Sequence, residues 1–247
     1  MAEAFVGKVA ELWRYPVQSM RGEALPAAQI GDTGIFGDRA YGVVDPDSGA
    51  VVSSAQGRRQ WRGIVTLGAR YREAPAADGA PAPIEILLPD GTALAGERPD
   101  IDALLTAALG QSAHLADKAA ENPRSAYDHS PLHLLTTASL RELTGRHPKG
   151  QFASARFRPN VLIDTDGQTG FLEQGWVERR LRIGDVEIAV NDHCKRCVMT
   201  TLPQGDLPMD PGILHTVTVQ NRTRAGVYAA VVRAGRIRVG DPVHLVD

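Results

Sequence analysis

Cysteine is scarce in this 247-residue chain, which holds only Cys194 and Cys197. Two thiols are too few for a disulfide scaffold, and such sparing use points to a reducing cytoplasm. They are also too few for an iron–sulfur cluster, which takes about four. Long apolar runs are missing as well. No stretch approaches the roughly 18 apolar residues of a membrane helix, and the N-terminus MAEAFVGKVAELW has no basic or apolar leader region. A secreted or membrane-spanning protein is therefore not expected. Charge nearly cancels: 27 Lys and Arg against 29 Asp and Glu leave a net −2. That gives no bulk attraction to nucleic acid or to a membrane surface. There is no internal repeat, no Gly-rich phosphate loop and no G-x-G-x-x-G opening a helix after a strand.

What is present is ordinary for a globular protein: 43% hydrophobic and 23% charged residues, in a chain long enough for one large domain or two small ones. The first hundred residues read almost entirely as β. A strand from Phe5 to Tyr15 is ended by Pro16, and YPVQSMRG forms a loop carrying Ser19 and Arg21. LPAAQI is a short strand and GDTGIFGD a run of turn residues. RAYGVVD and AVVSS flank DPDSG as a hairpin, WRGIVTLGARY adds a strand, and IEILLPDGTAL is another hairpin with Pro-Asp-Gly at its tip. Residues 74–83, rich in Ala, Pro and Gly, read as a flexible connection.

The pattern changes at Pro99. Asp100 is a good N-cap, Ile101, Leu104, Leu105, Ala108 and Leu109 fall at helical spacing, and Gly110 stands where a closing glycine belongs. This helix is the candidate seam between two β-rich lobes, residues 1–98 and 99–247. Beyond it come the strand LHLLT, a short helix TASLREL closed by Gly145, the basic stretch ARFRPN and the strand VLID. LRIGDVEIAV is a hairpin turning at Gly184-Asp185. GILHTVTVQN is ambiguous, strand by its β-branched residues and helix by its place after Asp210-Pro211. GVYAAVV and RIRVGDPVHLV close the chain as strands. The expected fold is mainly β with short helices, of the α+β class.

The organising stretch is HCKRCVMTT, His193 to Thr201, at the end of that hairpin. A thiol flanked by Lys195 and Arg196, with His193 beside it, has its thiolate favoured electrostatically. The Cys-Lys-Arg-Cys spacing admits four readings: thiols without a role, a thioredoxin-like pair, a zinc site, and a single thiolate on a softer metal. The redox pair needs a helix N-terminus, whereas Val198, Thr200 and Thr201 favour extended backbone. Zinc needs two further ligands, and His193 and His215 match no common spacing. Spacing alone leaves the choice open.

HCKRCVMTT, preceded by LRIGDVEIAV and followed by GDPVHLV, resembles the MOSC domain. YPVQSMRG followed by GDRAYGVVD resembles the MOSC N-terminal β-barrel domain, and SPLHLLTTASL and FRPN complete the pattern. The likeness runs from about residue 5 to the end, nearest the branch of the mitochondrial amidoxime-reducing component. It implies two barrel-like lobes and a molybdenum–pterin (molybdopterin) cofactor. It further implies reduction of small N-hydroxylated substrates such as amidoximes, hydroxylamines and N-hydroxylated bases.

By that resemblance Cys197 is the metal ligand and the centre of catalysis, with Cys194 a neighbour. Cofactor contacts carry over to Ser19, Arg39, Ser130, Arg158, Asn160, Lys195, Arg196 and Tyr228. A guanidinium fork at Arg39 and Arg158 suits the phosphate that ends the pterin. Taken singly, each arginine reads equally as a solvated surface group and Tyr228 as a core residue among valines. Asp192 and His193 are the candidate general acids. Gln18 stands where relatives carry lysine, and His129 where a small hydroxyl residue is common. Neither the membrane anchor of mitochondrial members nor the ferredoxin domain of some bacterial ones is expected from the residues here. Electrons are thus expected from a separate protein, a flavin reductase or a ferredoxin or cytochrome-type carrier. A persulfide sulfur-transfer or cofactor-carrier module and a pathway-specific lyase or reductase are the rival readings.

Overall fold

The computed structural model describes residues 3–53, 59–75, 82–121 and 131–246. Its strands are β1 (Glu3–Arg14), β2 (Glu23–Leu25), β3 (Ala27–Gly31), β4 (Gly34–Ile35), β5 (Tyr41–Asp45), β6 (Ala50–Val51), β7 (Gly68–Tyr71), β8 (Ile84–Leu87) and β9 (Ala93–Ala95). After helix α1 (Ile101–Leu109) come β10 (His114–Asp117), α2 (Lys118–Glu121), β11 (Leu132–Thr136), α3 (Thr137–Arg146), α4 (Ser154–Phe157) and β12 (Val161–Asp164). The chain ends with β13 (Arg180–Ile183), β14 (Val186–Lys195), α5 (Pro211–Asn221), β15 (Arg224–Arg233), β16 (Gly235–Arg238) and β17 (Pro242–Val246). The mainly β architecture with short helices agrees with the sequence reading.

Seven strands close into a barrel in the order β12-β11-β15-β14-β13-β17-β1, with β1 returning to β12 and β2 added outside. Only β11 and β12 run parallel; the other pairs in the ring are antiparallel. Closure leaves no edge to protect. The alternating apolar residues that defined the strands fill its interior, among them Val9, Leu12, Leu134, Ile163, Leu181, Ile188, Val227 and Val243. The long N-terminal strand is thus part of a barrel built mostly from the second half of the chain. Conversely, β10 pairs with β5 of the first half.

A second core gathers Val43, Trp61, Ile64, Leu67, Ile86 and Leu105 around the small sheets β10-β5-β6 and β7-β8-β9. Met199 and Leu202 enter this core, and Cys197 and Val198 rest against it. The stretch after Cys197 is therefore wedged between the barrel and the second lobe.

Three local expectations are corrected and one ambiguity is settled. Residues Arg59–Thr66 are a 3-10 helix, not the first half of a strand; Trp61, Ile64 and Val65 are its buried residues, and three- and four-residue spacing is helical. GILHTVTVQN is helix α5, because Asp210 caps it through Gly212 N at 2.8 Å and Pro211 presets the first turn. Gly145 lies inside α3, which closes at His147. Asp100 makes no side-chain cap to α1; its carboxylate is taken by Arg98 at 2.8 Å, while Gly110 does adopt the left-handed closing conformation. Most of the expected connection at 74–83 lies outside the described residues.

Candidate functional site

The β13–β14 hairpin turns at Gly184, φ 54°. Further along, the β14–β15 ladder slips between Val190 and Asp192 and again between His193 and Lys195. Such irregularities end regular pairing and re-aim side chains. Arg196 N then donates to Thr223 O at 2.7 Å. Cys197 follows in extended conformation and heads the 3-10 helix Val198–Thr201, which replaces the extended backbone its β-branched residues suggested. Thr200 Oγ1 donates to the Cys197 carbonyl at 3.0 Å and Thr201 Oγ1 to the Val198 carbonyl at 2.7 Å, so the hydroxyls stabilise the turn locally. Cys197 is half-buried, and among the described residues its sulfur makes no hydrogen bond.

Cys194 is fully buried and accepts from Arg196 Nη1 at 2.7 Å. Arg196 Nη2 donates to the Phe157 carbonyl at 2.6 Å, its guanidinium lies 5.5 Å from the Phe157 ring, and its Nε is buried without a partner. Burial disfavours the Arg196 charge, but Cys194, Tyr228 and Cys197 outweigh it and raise its pKa. The same Nη1 lies 3.5 Å from His133 Nε2. His133 is buried, and its Nδ1 donates to the Arg158 carbonyl at 3.1 Å. Burial, reinforced by Arg196 and Arg39, pushes its pKa down to about 3, so the imidazole is neutral at any physiological pH. Gly226, φ 85°, makes room for it: a Cβ there would meet His133 Nε2 at 2.3 Å.

The second cation pair meets on Tyr15. The guanidinium carbons of Arg158 and Arg39 lie 4.2 and 5.4 Å from the centre of its ring. Tyr15 is buried, its hydroxyl donates to the Pro159 carbonyl at 3.1 Å, and burial raises its pKa. Arg39 pairs with Asp38, whose carboxylate also accepts from Tyr15 N at 2.7 Å and from Asn160 Nδ2 at 3.1 Å. Asn160 Oδ1 accepts from His133 N at 3.1 Å. The Asn160 side chain is thereby taken up as a clasp between β1, β11 and the Asp38 turn.

Backbone strain marks the same residues. Ser19 (φ 70°), Arg39 (φ 53°) and Arg158 (φ 56°) are left-handed, as are Arg222 (φ 51°) and Thr223 (φ 65°) beside Arg196. For a β-branched residue such as Thr223 this is a genuine outlier, and such strain gathers where function demands a geometry.

The structure thus brings Arg158, Asn160, Arg196 and Tyr228 around His133, with the Tyr228 ring 5.7 Å away and tilted. Arg39 joins them through Tyr15 and Asn160. Ser19 is buried, between Val17 and Met20 of the core that also receives Met199 and Leu202. Gln18 is buried beside it. Lys195 is exposed opposite Arg224, and Asp192 is exposed, its carboxylate accepting from His193 N at 2.7 Å. His193 is half-buried, and its Nδ1 has no partner among the described residues. Ser130 and His129 lie outside the described residues. Sequence reasoning missed His133, which in LHLLT looks like one more residue of an apolar strand, and Arg156, hidden in the basic stretch ARFRPN. It also missed Glu173, a buried carboxylate that Thr136, Ser139 and Gly226 N hold at 2.6, 2.6 and 3.0 Å.

A family model described as the MOSC domain matches residues 113–244, and one described as the MOSC N-terminal beta barrel domain matches residues 6–60. Mitochondrial amidoxime reducing component 2 of Rattus norvegicus is 27% identical across 98% of this chain and 84% of that one. The component 2 of Homo sapiens is 27% identical across 97% and 83%, and the human component 1 is 26% identical across 98% and 83%. The crystal structure of the YUAD protein from Bacillus subtilis covers 99% of this chain and 97% of its own at TM-score 0.56 and 10% identity, which shows a shared fold.

Proposed function

The chain belongs to the MOSC domain family, and from that premise we propose that it is a molybdenum-cofactor oxidoreductase. Its substrates are small N-hydroxylated compounds such as amidoximes, hydroxylamines and N-hydroxylated bases, and its electrons come from a separate redox protein. The observation that carries this reading is Cys197: a half-buried sulfur with no hydrogen bond among the described residues, one residue beyond the buried cation Arg196. The names of the relatives, amidoxime-reducing components, support the substrate class.

The residues present suit such a cofactor. Among the described residues no group of three His, Cys, Asp or Glu side chains could hold a metal ion. A metal at Cys197 would take one thiolate from the chain and would draw its other ligands from the group that brings it, as from a pterin dithiolene. Lys195 and Arg196 stand directly before Cys197, and the buried Arg196 Nε has no hydrogen-bond partner among the described residues. Both features favour an anionic guest.

In this reading Cys197 would hold the metal, and Arg39 and Arg158 would bind the phosphate of the pterin. Arg196, Lys195, Tyr228 and Ser19, with Ser130 by the family resemblance, would supply further contacts, while Asn160 acts by holding Arg39 and His133 in place. When bound, the cofactor supplies two-electron reduction at an N–O bond: R–NHOH, two electrons and two protons give R–NH2 and water. The chain's own share is to hold, orient and protonate. Asp192 and His193 are the candidates for the proton, His193 through a ring with one unpartnered nitrogen.

The test is an assay of molybdenum-loaded protein on benzamidoxime with a chemical reductant, or with a flavin reductase and a small electron carrier. Amidine should form, NADH alone should not drive it, and Cys197→Ala should give only the background of free reductant. Background rates with loaded wild-type protein across all three substrate classes would overturn the reading. Protein that carries no molybdenum but a cyanolysable sulfur on Cys197 would favour the sulfur-transfer module, which the same half-buried thiol suits.

A further inference from the structure

Arg156 has no exposed surface, and its guanidinium bonds only to backbone. Nε donates to the Gln151 carbonyl at 2.8 Å, Nη1 to those of Thr200 and Leu202, each at 3.3 Å, and Nη2 to that of Pro208 at 2.7 Å. No carboxylate pairs with it among the described residues, although Asp210 lies near enough to favour its charge; burial works the other way and lowers its pKa. A buried cation without a partner anion is uncommon and costly. What it obtains instead is geometry, since one planar fork reaches carbonyls in several directions.

Three of those carbonyls belong to the loop that opens at Cys197. Thr200 is the direct link: its carbonyl accepts from Arg156, while its own N and Oγ1 donate to the Cys197 carbonyl at 3.2 and 3.0 Å. The next residue acts on the chain before the sulfur. The Phe157 carbonyl accepts from Arg196 at 2.6 Å, and just past the helix the Arg158 carbonyl accepts from His133 at 3.1 Å. The short helix α4 therefore holds the chain at Arg196, directly before Cys197, and at Thr200, three residues after it. An apolar side chain of similar volume could fill the space but could not tie three carbonyls together.

We propose that Arg156 is the positioning residue for Cys197, fixing from within α4 the loop whose first residue carries the reactive sulfur. This rests on the proposed role of Cys197 as metal ligand for its meaning in catalysis, but not for the geometry it asserts.

The experiment compares wild type with Arg156→Lys, which keeps stem and charge without the fork, and Arg156→Met, which keeps volume. In the full-length chain prepared without cofactor, the rate of Cys197 alkylation by iodoacetamide and the hydrogen exchange of the amides of residues 198–202 and 204 are measured beside the melting temperature. Buried Cys194 serves as internal reference. Loss of about one charge-assisted tether should raise both rates about 10-fold in Arg156→Lys while exchange in the barrel strands stays unchanged. In molybdenum-loaded protein the paramagnetic resonance signal should broaden. A role in packing alone would instead raise exchange throughout the molecule, or leave Arg156→Met like wild type. Folded variants whose alkylation and loop exchange stay within about twofold of wild type overturn the proposal. Should neither variant fold, wild-type exchange decides: amides of Thr200 and Leu202 as slow as the barrel strands support it, and amides as fast as surface loops overturn it. Wild-type protein without molybdenum would sink the cofactor reading and leave these outcomes to be read as they stand.

Discussion

His133 stands between Arg158 and Arg196: its Nδ1 donates to the Arg158 carbonyl at 3.1 Å, and its Nε2 faces Arg196 Nη1 at 3.5 Å. One neutral ring so links the backbone of one arginine to the side chain of another, and that second arginine directly precedes Cys197. Its neutrality is a consequence of its place, because burial beside two guanidinium groups makes a third positive charge costly.

The first prediction concerns acid. The His133 pKa is depressed from 6.5 in the unfolded chain to about 3 in the folded protein. Its contribution is therefore fully present above pH 6.5 and is lost as pH falls from there toward 3, at up to about 1.4 kcal/mol per pH unit. Denaturant unfolding of wild type and His133→Gln across that range checks it. The variant should show the shallower slope; equal slopes would mean that His133 titrates normally.

Gly226→Ala should disturb the same point from the opposite strand. The new Cβ would lie 2.3 Å from His133 Nε2 and 2.6 Å from the Leu134 carbonyl, at a φ of 85°. Strain and displacement together should cost about 2–4 kcal/mol, read as a fall in melting temperature. A melting temperature equal to that of wild type would show that the barrel yields there at no cost.

Glu173 has the opposite sign. Burial raises its pKa above the usual 4.5, although the hydroxyls of Ser139 and Thr136 and the amide of Gly226 pull it back. A raised folded pKa gives stability that is present below the unfolded value and is lost as pH rises through the folded one. Glu173→Gln should therefore gain on wild type as pH rises above 4.5, measured as the difference in unfolding free energy. A difference that shrinks with rising pH would show that the hydroxyl bonds outweigh burial.

The two cysteines should separate. Cys197→Ala should abolish the thiolate ligand of the bound metal. Cys194→Ala should keep that ligand but release Arg196 Nη1, which Cys194 accepts at 2.7 Å, and weaken cofactor retention by about 3- to 10-fold. Metal content and the molybdenum resonance signal distinguish the cases, and identical loss in both folded variants would indicate a two-thiol site.

Arg39→Ala and Arg158→Ala should each lower molybdenum occupancy about 10- to 100-fold when cofactor is limiting, the worth of a charge-assisted contact to phosphate. Tyr15→Phe, which keeps the ring beneath both guanidinium groups, should have a much smaller effect. Full occupancy in both arginine variants would make them structural groups.

The local chain alone determined a good deal. Alternation and turn residues placed the hairpins β5–β6, β8–β9 and β13–β14 and put Cys197 just past the end of a strand. Helical spacing and a closing glycine placed α1, and the motif order carried the family. Those signals are short-range: a period, a turn or a cap is written in neighbouring residues. Tertiary structure decided the rest. Arg59–Thr66 and Val198–Thr201 are helical where their apolar residues meet the second core. Nothing near position 133 says that its imidazole will lie against Arg158 and Arg196, and nothing near position 156 says that its guanidinium will reach Pro208, 52 residues on. Burial and charge act through space, so a histidine in an apolar strand and an arginine in a basic stretch acquire their roles only when the barrel closes and brings α4 against the loop after Cys197.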